Sequence, residues 1–137
     1  METLLLKSDI NVIGFPVKTF PNGISEAFDL LVAKIPERLK RSYFGISMTV
    51  DGEMVYVAAV EENDKNEGEK LNLMRYTISK GEYNTVTVTK WRDKLDSIKD
   101  IFQEMMKHHS ADLSQPCIEW YKNNDVMVCM VKRILGA

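Results

Sequence analysis

The order of predicted elements is the feature that most constrains the fold, because it occurs twice along the chain. A strand, a helix and a hairpin are predicted over about residues 8–62 and again over about residues 70–134. Asn22 is predicted to begin the first helix and Asp93 the second, an offset of about seventy residues, or half the chain. Residue identities do not repeat, so the repetition concerns architecture alone.

The first half carries clear local signals. Ile10–Phe20 is rich in β-branched and aromatic residues and predicts a strand, which Pro16 places at an edge or a bulge. The turn Asp51-Gly52 predicts a tight hairpin between Tyr43–Val50 and Glu53–Glu62. Apolar residues at helical spacing predict the buried face of the helix: Ile24, Ala27, Phe28, Leu31 and Ile35.

The second half follows a polar loop, Asn63–Lys70, which is the predicted midpoint. Tyr83–Lys90 alternates between apolar and polar residues, as a strand with one wet face does. A last hairpin is predicted from Cys117–Tyr121 and Val126–Ile134, joined by a turn at Asn123–Asp125. The apolar face of the second helix is predicted to contain Leu95, Ile98, Phe102 and Met105.

Two β-α-β-β halves of this kind predict an α+β fold. They join into one antiparallel sheet with two helices on one face. We expect a single domain over residues 1–137, with a small-molecule pocket at the seam between the halves.

The charge and the apolar pattern exclude several classes of function. The chain has 18 basic and 20 acidic residues, so it lacks the excess of basic charge that nucleic-acid binding requires. No apolar run approaches the ~20 residues that span a bilayer, and residues 1–6 do not resemble a signal peptide. We therefore expect a cytoplasmic protein that binds neither nucleic acid nor membrane. Only a short tail precedes residue 8, so no attached DNA-binding segment is predicted.

The chain also lacks the common motifs of phosphate binding and of serine hydrolysis. His108 and His109 are adjacent, so on a helix they point in different directions and form a poor metal pair. Cys117 and Cys129 fit no zinc signature and suggest buried thiols rather than a disulfide framework. No metal and no cofactor are expected.

Glu119 is the residue with the strongest chemical signal, because it lies inside a predicted strand among apolar neighbours. Alternation places Glu119 on one face with Cys117 and Tyr121, and Trp120 on the other. One interpretation puts Glu119 on a wet face with Trp120 in the core. The other puts its carboxylate in an aromatic cavity, where it would pair with a cation or act as a general acid or base.

Aromatic residues supply the walls of such a cavity, although each is also explained by core packing. Tyr56 lies in the middle of a predicted strand and is the second candidate. The other candidate ligand-binding residues are Tyr121, Tyr83, Trp91 and Phe44.

Four segments carry a resemblance when they are taken in order: Tyr43-Phe44-Gly45-Ile46, Tyr56-Val57-Ala58-Ala59-Val60-Glu61, Ile78-Ser79-Lys80-Gly81-Glu82-Tyr83 and Pro116-Cys117-Ile118-Glu119-Trp120-Tyr121. Together they resemble the GyrI-like small-molecule-binding family, also seen as the effector-binding domain of bacterial multidrug-responsive transcription activators. The resemblance spans about residues 8–134. Ala59 stands where the family has glycine and Ser79 where it has proline, and both positions shape the backbone around the pocket.

The resemblance implies the duplicated β-α-β-β fold and a pocket in which Glu119 attracts lipophilic cations. It implies a stand-alone binding domain for hydrophobic aromatic or cationic compounds, which senses an effector or sequesters a compound in bacterial transcription regulation or drug response. A separate regulator protein would read out binding, and a homodimer is also compatible.

Two alternatives stay open within the resemblance. Some family members resemble hydrolases that open reactive cyclopropane rings, and here Glu119 would activate water while Tyr56 donates a proton. The family's namesake acts on DNA gyrase, so the acidic loop Glu61–Glu69 could imitate a DNA backbone, although its net charge is small.

Overall fold

The computed structural model describes residues 1–136, in which eight strands form one antiparallel sheet. The strands are β1 (Glu2–Leu6), β2 (Ile10–Pro16), β3 (Tyr43–Val50), β4 (Glu53–Glu61), β5 (Met74–Ile78), β6 (Gly81–Thr89), β7 (Cys117–Tyr121) and β8 (Val126–Lys132). The helices are α1 (Ile24–Lys34), α2 (Glu67–Lys70) and α3 (Leu95–Met106), with 3₁₀ turns at Arg38–Lys40 and Trp91–Lys94.

The sheet has the order β1-β6-β8-β7-β3-β4-β2-β5, which confirms the predicted pair of halves. The first half is β2-α1-β3-β4, the second is β6-α3-β7-β8, and pairing of β3 with β7 joins them. Both halves have the same internal strand order, with the last strand between the other two. The seam is therefore the centre of one continuous sheet.

The segment before residue 8 is not the predicted tail, because residues 2–6 form β1. This strand precedes the first half in sequence yet pairs with β6 of the second half. In the same way β5, at the start of the second half, pairs with β2 of the first. Each half thus contributes one strand to the other, which extends the repeat to five elements and ties the halves together.

Helix starts and the midpoint loop also differ from the predictions. α1 begins after Gly23, whose φ of 87° suits glycine, and not at Asn22. α3 begins at Leu95, because the 3₁₀ turn at Trp91–Lys94 contains Asp93. The predicted loop Asn63–Lys70 ends in the short helix α2. The starts of α1 and α3 keep an offset of 71 residues.

The sheet is curled, so its two faces have different surroundings. β5 is one edge and β6 is next to the other edge, yet only two residues, Ser79 and Lys80, connect them in sequence. Because so short a connection cannot cross a flat eight-stranded sheet, the sheet must curl until these two strands approach each other. The interior of the curl holds an apolar cluster of buried residues: Val12, Phe44, Ile46, Val57, Ala59, Ile78, Tyr83, Ile118, Val128 and Met130. This interior cluster receives alternate side chains from every central strand.

The outer face of the sheet carries α1 and α3, as predicted for one face. α1 buries Ala27 and Leu31 against β4, and α3 buries Ile98, Phe102 and Met105 against β8. The two helices cover different halves and leave an open cleft over the seam. No helix within residues 1–136 is both long and apolar enough to span a bilayer.

A buried ion pair fixes the connection between the halves. The Arg41 guanidinium donates to both carboxylate oxygens of Glu67 on α2, at 2.7 and 2.6 Å. Their side chains are 2% and 8% exposed. Arg41 also donates to the Glu61 carbonyl oxygen at 3.2 Å. A two-pronged pair with these extra bonds orients the midpoint segment against β4.

Candidate ligand-binding site

The cleft over the seam lies between α1 and α3 and has a volume of about 1680 Å³. Its floor is the outer face of the central strands β3, β4 and β7, and its sides are the two helices. The apolar and aromatic residues that line it include Phe20, Ile24, Phe28, Val32, Tyr43, Met48, Tyr56, Trp91, Ile98, Phe102 and Tyr121. A cleft with this lining suits the burial of an apolar ligand.

Glu119 lies at the centre of the cleft floor. On β7 it is opposite Gly45 of β3 on one side and Cys129 of β8 on the other. Its neighbours Ile118 and Trp120 point to the interior cluster, as strand alternation predicts. Glu119 is half-buried and lines the cleft, so its carboxylate faces the space between the helices.

Two tyrosines hold one oxygen of this carboxylate. Tyr56 Oη donates to Glu119 Oε1 at 2.5 Å, and Tyr121 Oη donates to the same atom at 3.1 Å. Within residues 1–136 no lysine, arginine or histidine forms an ion pair with Glu119. The carboxylate is therefore oriented by neutral donors and forms no ion pair in the part of the chain described.

Burial is the main influence on the protonation of this cluster. Desolvation raises the pKa of Glu119, and the bonds from Tyr56 and Tyr121 lower it by a smaller amount. Desolvation and the nearby Glu119 charge raise the pKa of both tyrosines well above the ordinary value. The tyrosines thus stay protonated as donors, while the carboxylate is easier to protonate than an exposed one.

Gly45 makes this arrangement possible. A Cβ atom at this position would collide with Tyr56 Oη and with Glu119 Oε1. Because β3 lies between β4 and β7, any larger residue would push these two side chains apart. The space that Gly45 leaves open is the space in which the tyrosine and the carboxylate meet.

Aromatic rings extend from this point along both sides of the cleft. Phe20 stacks on Tyr56 with ring centroids 5.4 Å apart. Phe28 of α1 and Trp91 both pack edge-on against Tyr121, at 5.8 and 4.9 Å. The rings come from both halves of the chain and enclose the carboxylate between two tyrosines.

Four predicted site residues come together in this cleft, and two do not. Glu119, Tyr56, Tyr121 and Trp91 line it. Phe44 and Tyr83 belong to the interior cluster on the opposite face of the sheet and are 1% and 2% exposed. Tyr83 Oη donates to the Ser79 carbonyl oxygen at 2.6 Å.

Phe20, Phe28 and Gly45 shape the site but are not among the predicted ligand-binding residues. The sequence pattern predicts Phe20 as the end of a strand and Phe28 as part of the buried helix face. Gly45 lies in a segment that resembles the family, and its sequence neighbours do not explain why it is glycine. The signal for Phe28 was its place at the margin of the apolar stripe of α1, where a ring reaches past the helix toward the seam.

Two further expectations concern charged groups. Within residues 1–136 no cluster of three or more histidine, cysteine, aspartate or glutamate side chains is arranged to hold a metal ion.

In the acidic segment 61–69, Glu62 pairs with Arg75 at 2.7 Å and Glu67 with Arg41. This pairing neutralises two of the carboxylates and disfavours imitation of a DNA backbone by that loop.

Comparisons with known proteins identify the fold. No family model and no curated protein matches the sequence. The chain is similar in structure to SAV2435 bound to tetraphenylphosphonium, with a TM-score of 0.73 and 13% identity over 98% of this chain and 95% of that one. It is also similar to the integron cassette protein VCH_CASS2 from the mobile metagenome of Vibrio cholerae, with a TM-score of 0.71 and 13% identity over 97% and 95%.

A weaker likeness joins the chain to a hydrolase from Listeria innocua. The TM-score is 0.57 at 11% identity, and the match covers 95% of this chain and 89% of that one. At such identities the likeness concerns the fold alone. The cleft geometry of this chain therefore has to carry the functional argument.

Proposed function

We propose that this protein binds hydrophobic aromatic or cationic small molecules in the cleft between α1 and α3, with Glu119 as the counter-charge. The observation that carries the proposal is the Glu119 carboxylate, which lies among aromatic rings and has no ion-pair partner in residues 1–136. The proposal agrees with the resemblance to the GyrI-like family.

A charged group in this position favours a particular ligand. A desolvated carboxylate without an ion-pair partner is unfavourable, and an apolar cation that enters the cleft compensates its charge without needing a polar shell of its own. The ring of Tyr121 and the face of Tyr56 that Phe20 leaves free would add cation–π attraction, which strengthens as water leaves the cleft. Phe20 and Phe28 contribute apolar area for the remaining ligand surface.

The comparison with SAV2435 supports this class of ligand, because that protein with the same fold binds tetraphenylphosphonium, a lipophilic cation. For the biological role we propose an effector sensor or a means of compound sequestration in bacterial drug response. A separate regulator protein, or a second copy of the chain, would then report the bound state. We propose the cytoplasm as the location of the protein in this role.

Isothermal titration with tetraphenylphosphonium tests the proposal on wild type, Glu119→Gln and Glu104→Gln. Glu104 is a matched control, because its side chain is 76% exposed on α3 and outside the cleft. We expect binding by wild type and by Glu104→Gln, and an affinity loss of about tenfold or more in Glu119→Gln, since a buried charge pair is lost. Absence of binding, or equal binding by all three proteins, contradicts the proposal.

A second candidate function is hydrolysis, favoured by the 2.5 Å bond between Tyr56 and Glu119. In this scheme Glu119 accepts a proton from a water molecule as the water oxygen bonds to one carbon of a reactive cyclopropane ring. The ring C–C bond breaks and Tyr56 donates its proton to the released carbon. The proton on Glu119 then returns to Tyr56 across their hydrogen bond. Burial and the nearby Glu119 charge raise the pKa of Tyr56, which opposes release of the proton that this scheme requires. Incubation with a reactive cyclopropane compound and product analysis decides the point, since unchanged substrate rejects hydrolysis.

A further inference from the structure

The two carboxylate oxygens of Glu119 have different surroundings. Oε1 accepts hydrogen bonds from both Tyr56 and Tyr121, whereas no group within residues 1–136 donates to Oε2. In that same range, Trp120 Nε1 is the one sealed side-chain polar atom without a partner. Oε2 is therefore not sealed in the protein, and it is the atom that the carboxylate presents to the cleft.

This asymmetry determines where a proton binds when Glu119 is neutral. A carboxylate oxygen has two lone pairs, and those of Oε1 already accept two O–H donors. A proton on Oε1 would displace one of these bonds, while a proton on Oε2 displaces none. The neutral acid thus keeps both tyrosine bonds and directs an O–H donor into the aromatic cleft.

We infer that the cleft accepts two classes of ligand by exchanging one proton on Glu119: lipophilic cations when Oε2 is ionised, and neutral aromatic hydrogen-bond acceptors when Oε2 carries the proton. The inference rests on the proposed function and extends it to uncharged compounds. The ligand atom in contact with Oε2 is a cationic centre in the first class. In the second class it is an oxygen or nitrogen that accepts the Oε2–H.

The pH dependence due to Glu119 must be distinguished from that of the other titratable groups around it. The enclosed ones are Tyr43 on β3, Tyr56 on β4, Cys117 and Tyr121 on β7, and Cys129 on β8. Burial raises the pKa of all five, that of Cys129 to about 12, so they stay neutral through the pH range of the experiment. The helices and the rim of the cleft contribute the exposed charged groups Asp29, Arg38, Arg92, Lys99 and Lys122 and the half-buried Asp112.

The test compares two ligands of similar shape, tetraphenylphosphonium and triphenylphosphine oxide, by titration calorimetry at constant ionic strength from about pH 5 to about pH 9. The oxide is neutral and its oxygen is a strong acceptor. For wild type we expect the affinity for the cation to rise with pH and that for the oxide to fall. Each affinity should change by up to about tenfold per pH unit, in the pH range where binding is coupled to the uptake or release of one whole proton.

Glu119→Gln provides the decisive control. Its carbonyl oxygen can accept the two tyrosine bonds, which leaves the amide N–H₂ to face the cleft as a permanent neutral donor. The variant keeps every other titratable group, so any remaining pH dependence measures their contribution. We expect it to bind the oxide at all pH values and to lose affinity for the cation.

Opposite pH profiles in wild type, with a flat profile for the oxide in Glu119→Gln, support the inference. If wild type binds the cation but its affinity for the oxide does not change with pH, or changes equally in the variant, the inference is overturned while the proposed function stands. If wild type does not bind the cation at any pH, both are overturned.

Discussion

Gly45 and Glu119 lie opposite each other across the β3–β7 pair and occupy equivalent positions in the two halves of the chain. Residues 43–47 of β3 pair antiparallel with residues 121–117 of β7, so the register is centred on this pair. A duplicated fold places the same position twice at its seam, where two long side chains would collide. Glycine in one half leaves room for a single carboxylate from the other, and the symmetric fold thereby acquires an asymmetric site.

Gly45→Ala tests this relationship. The added Cβ would meet Tyr56 Oη and Glu119 Oε1, so we expect a loss of about 1–3 kcal/mol in the free energy of unfolding, as for other overpacked positions. Tetraphenylphosphonium affinity should fall as well, because the carboxylate is displaced. Urea denaturation and calorimetry measure the two effects.

Tyr56→Phe in the same background provides the control for Gly45→Ala. It removes the hydroxyl that the new Cβ would meet, so the double variant should be more stable than the sum of the single changes predicts. Strictly additive costs would show that the Cβ and the tyrosine hydroxyl do not compete for the same space.

Local sequence patterns predicted the strands, helices and turns better than they predicted which strands pair with each other. The Asp51-Gly52 turn has φ of 52° and 81°, as the predicted hairpin requires, because the turn depends on neighbouring residues alone. The sequence pattern does not predict β1, because this strand is stabilised by pairing with β6, which is distant in sequence. A five-residue segment without its partner carries little signal of its own.

Strand alternation predicted which residues share a face with Glu119, but not which face points to the interior cluster and which to the cleft. Both faces of the central strands are covered, one by the interior cluster and one by the helices, so apolar residues occur on each. Phe44 and Tyr56 are thus similar in sequence context and opposite in location. Only the direction in which the sheet curls separates the aromatic residues of the core from those of the cleft.

Glu119→Gln should raise the stability of the unliganded protein at neutral pH. Burial raises the pKa of Glu119, so the native state binds its proton more tightly than the unfolded state, where the value is about 4.3. Native stability then falls as pH rises from the unfolded value through the folded one. Thermal unfolding across this range should show an advantage for the variant that disappears under acid conditions. An advantage that is independent of pH would contradict the assignment to this carboxyl.

The Arg41–Glu67 pair should give the opposite pH dependence. The hydrogen bond from Arg41 lowers the pKa of Glu67, so its contribution is complete above the unfolded value of about 4.3 and is lost as pH falls through the folded one. Arg41→Met leaves Glu67 buried without its partner, and we expect a loss of about 3–5 kcal/mol in urea denaturation. The exposed pair of Lys107 with Glu104 is the control, and Lys107→Met should cost about 0–1 kcal/mol.

Tyr56→Phe should move the pH profile of cation binding to higher pH. The hydrogen bond from Tyr56 lowers the pKa of Glu119 and so opposes the effect of desolvation. Without this bond the pKa rises, and the protonated form of Glu119 persists to higher pH. We expect a destabilisation of about 1 kcal/mol from the lost hydrogen bond. Tyr121→Phe should act in the same direction with a smaller shift, because its bond is 3.1 Å long against 2.5 Å. An unchanged profile in both variants would show that the tyrosines do not influence the carboxyl.

The two tryptophans should report binding differently, because they lie on opposite faces of the sheet. Trp91 packs edge-on against Tyr121 in the cleft, whereas Trp120 stacks on Phe44 toward the interior cluster, with centroids 6.1 Å apart. An aromatic ligand beside Tyr121 should quench Trp91 fluorescence and leave that of Trp120 nearly unchanged. Trp120→Phe should therefore keep the ligand-dependent change, and Trp91→Phe should lose it.

Both tryptophan variants are expected to fold. Trp120 Nε1 is sealed without a hydrogen-bond partner in the described residues, so phenylalanine removes an unsatisfied donor and offsets part of the lost packing. Trp91 is half-buried, and its Nε1 donates to the Asn123 carbonyl oxygen at 2.9 Å near the surface, where water can replace it. Circular dichroism checks the fold of each variant before titration. Quenching that persists in Trp91→Phe would place the ligand outside the cleft and contradict the proposed site.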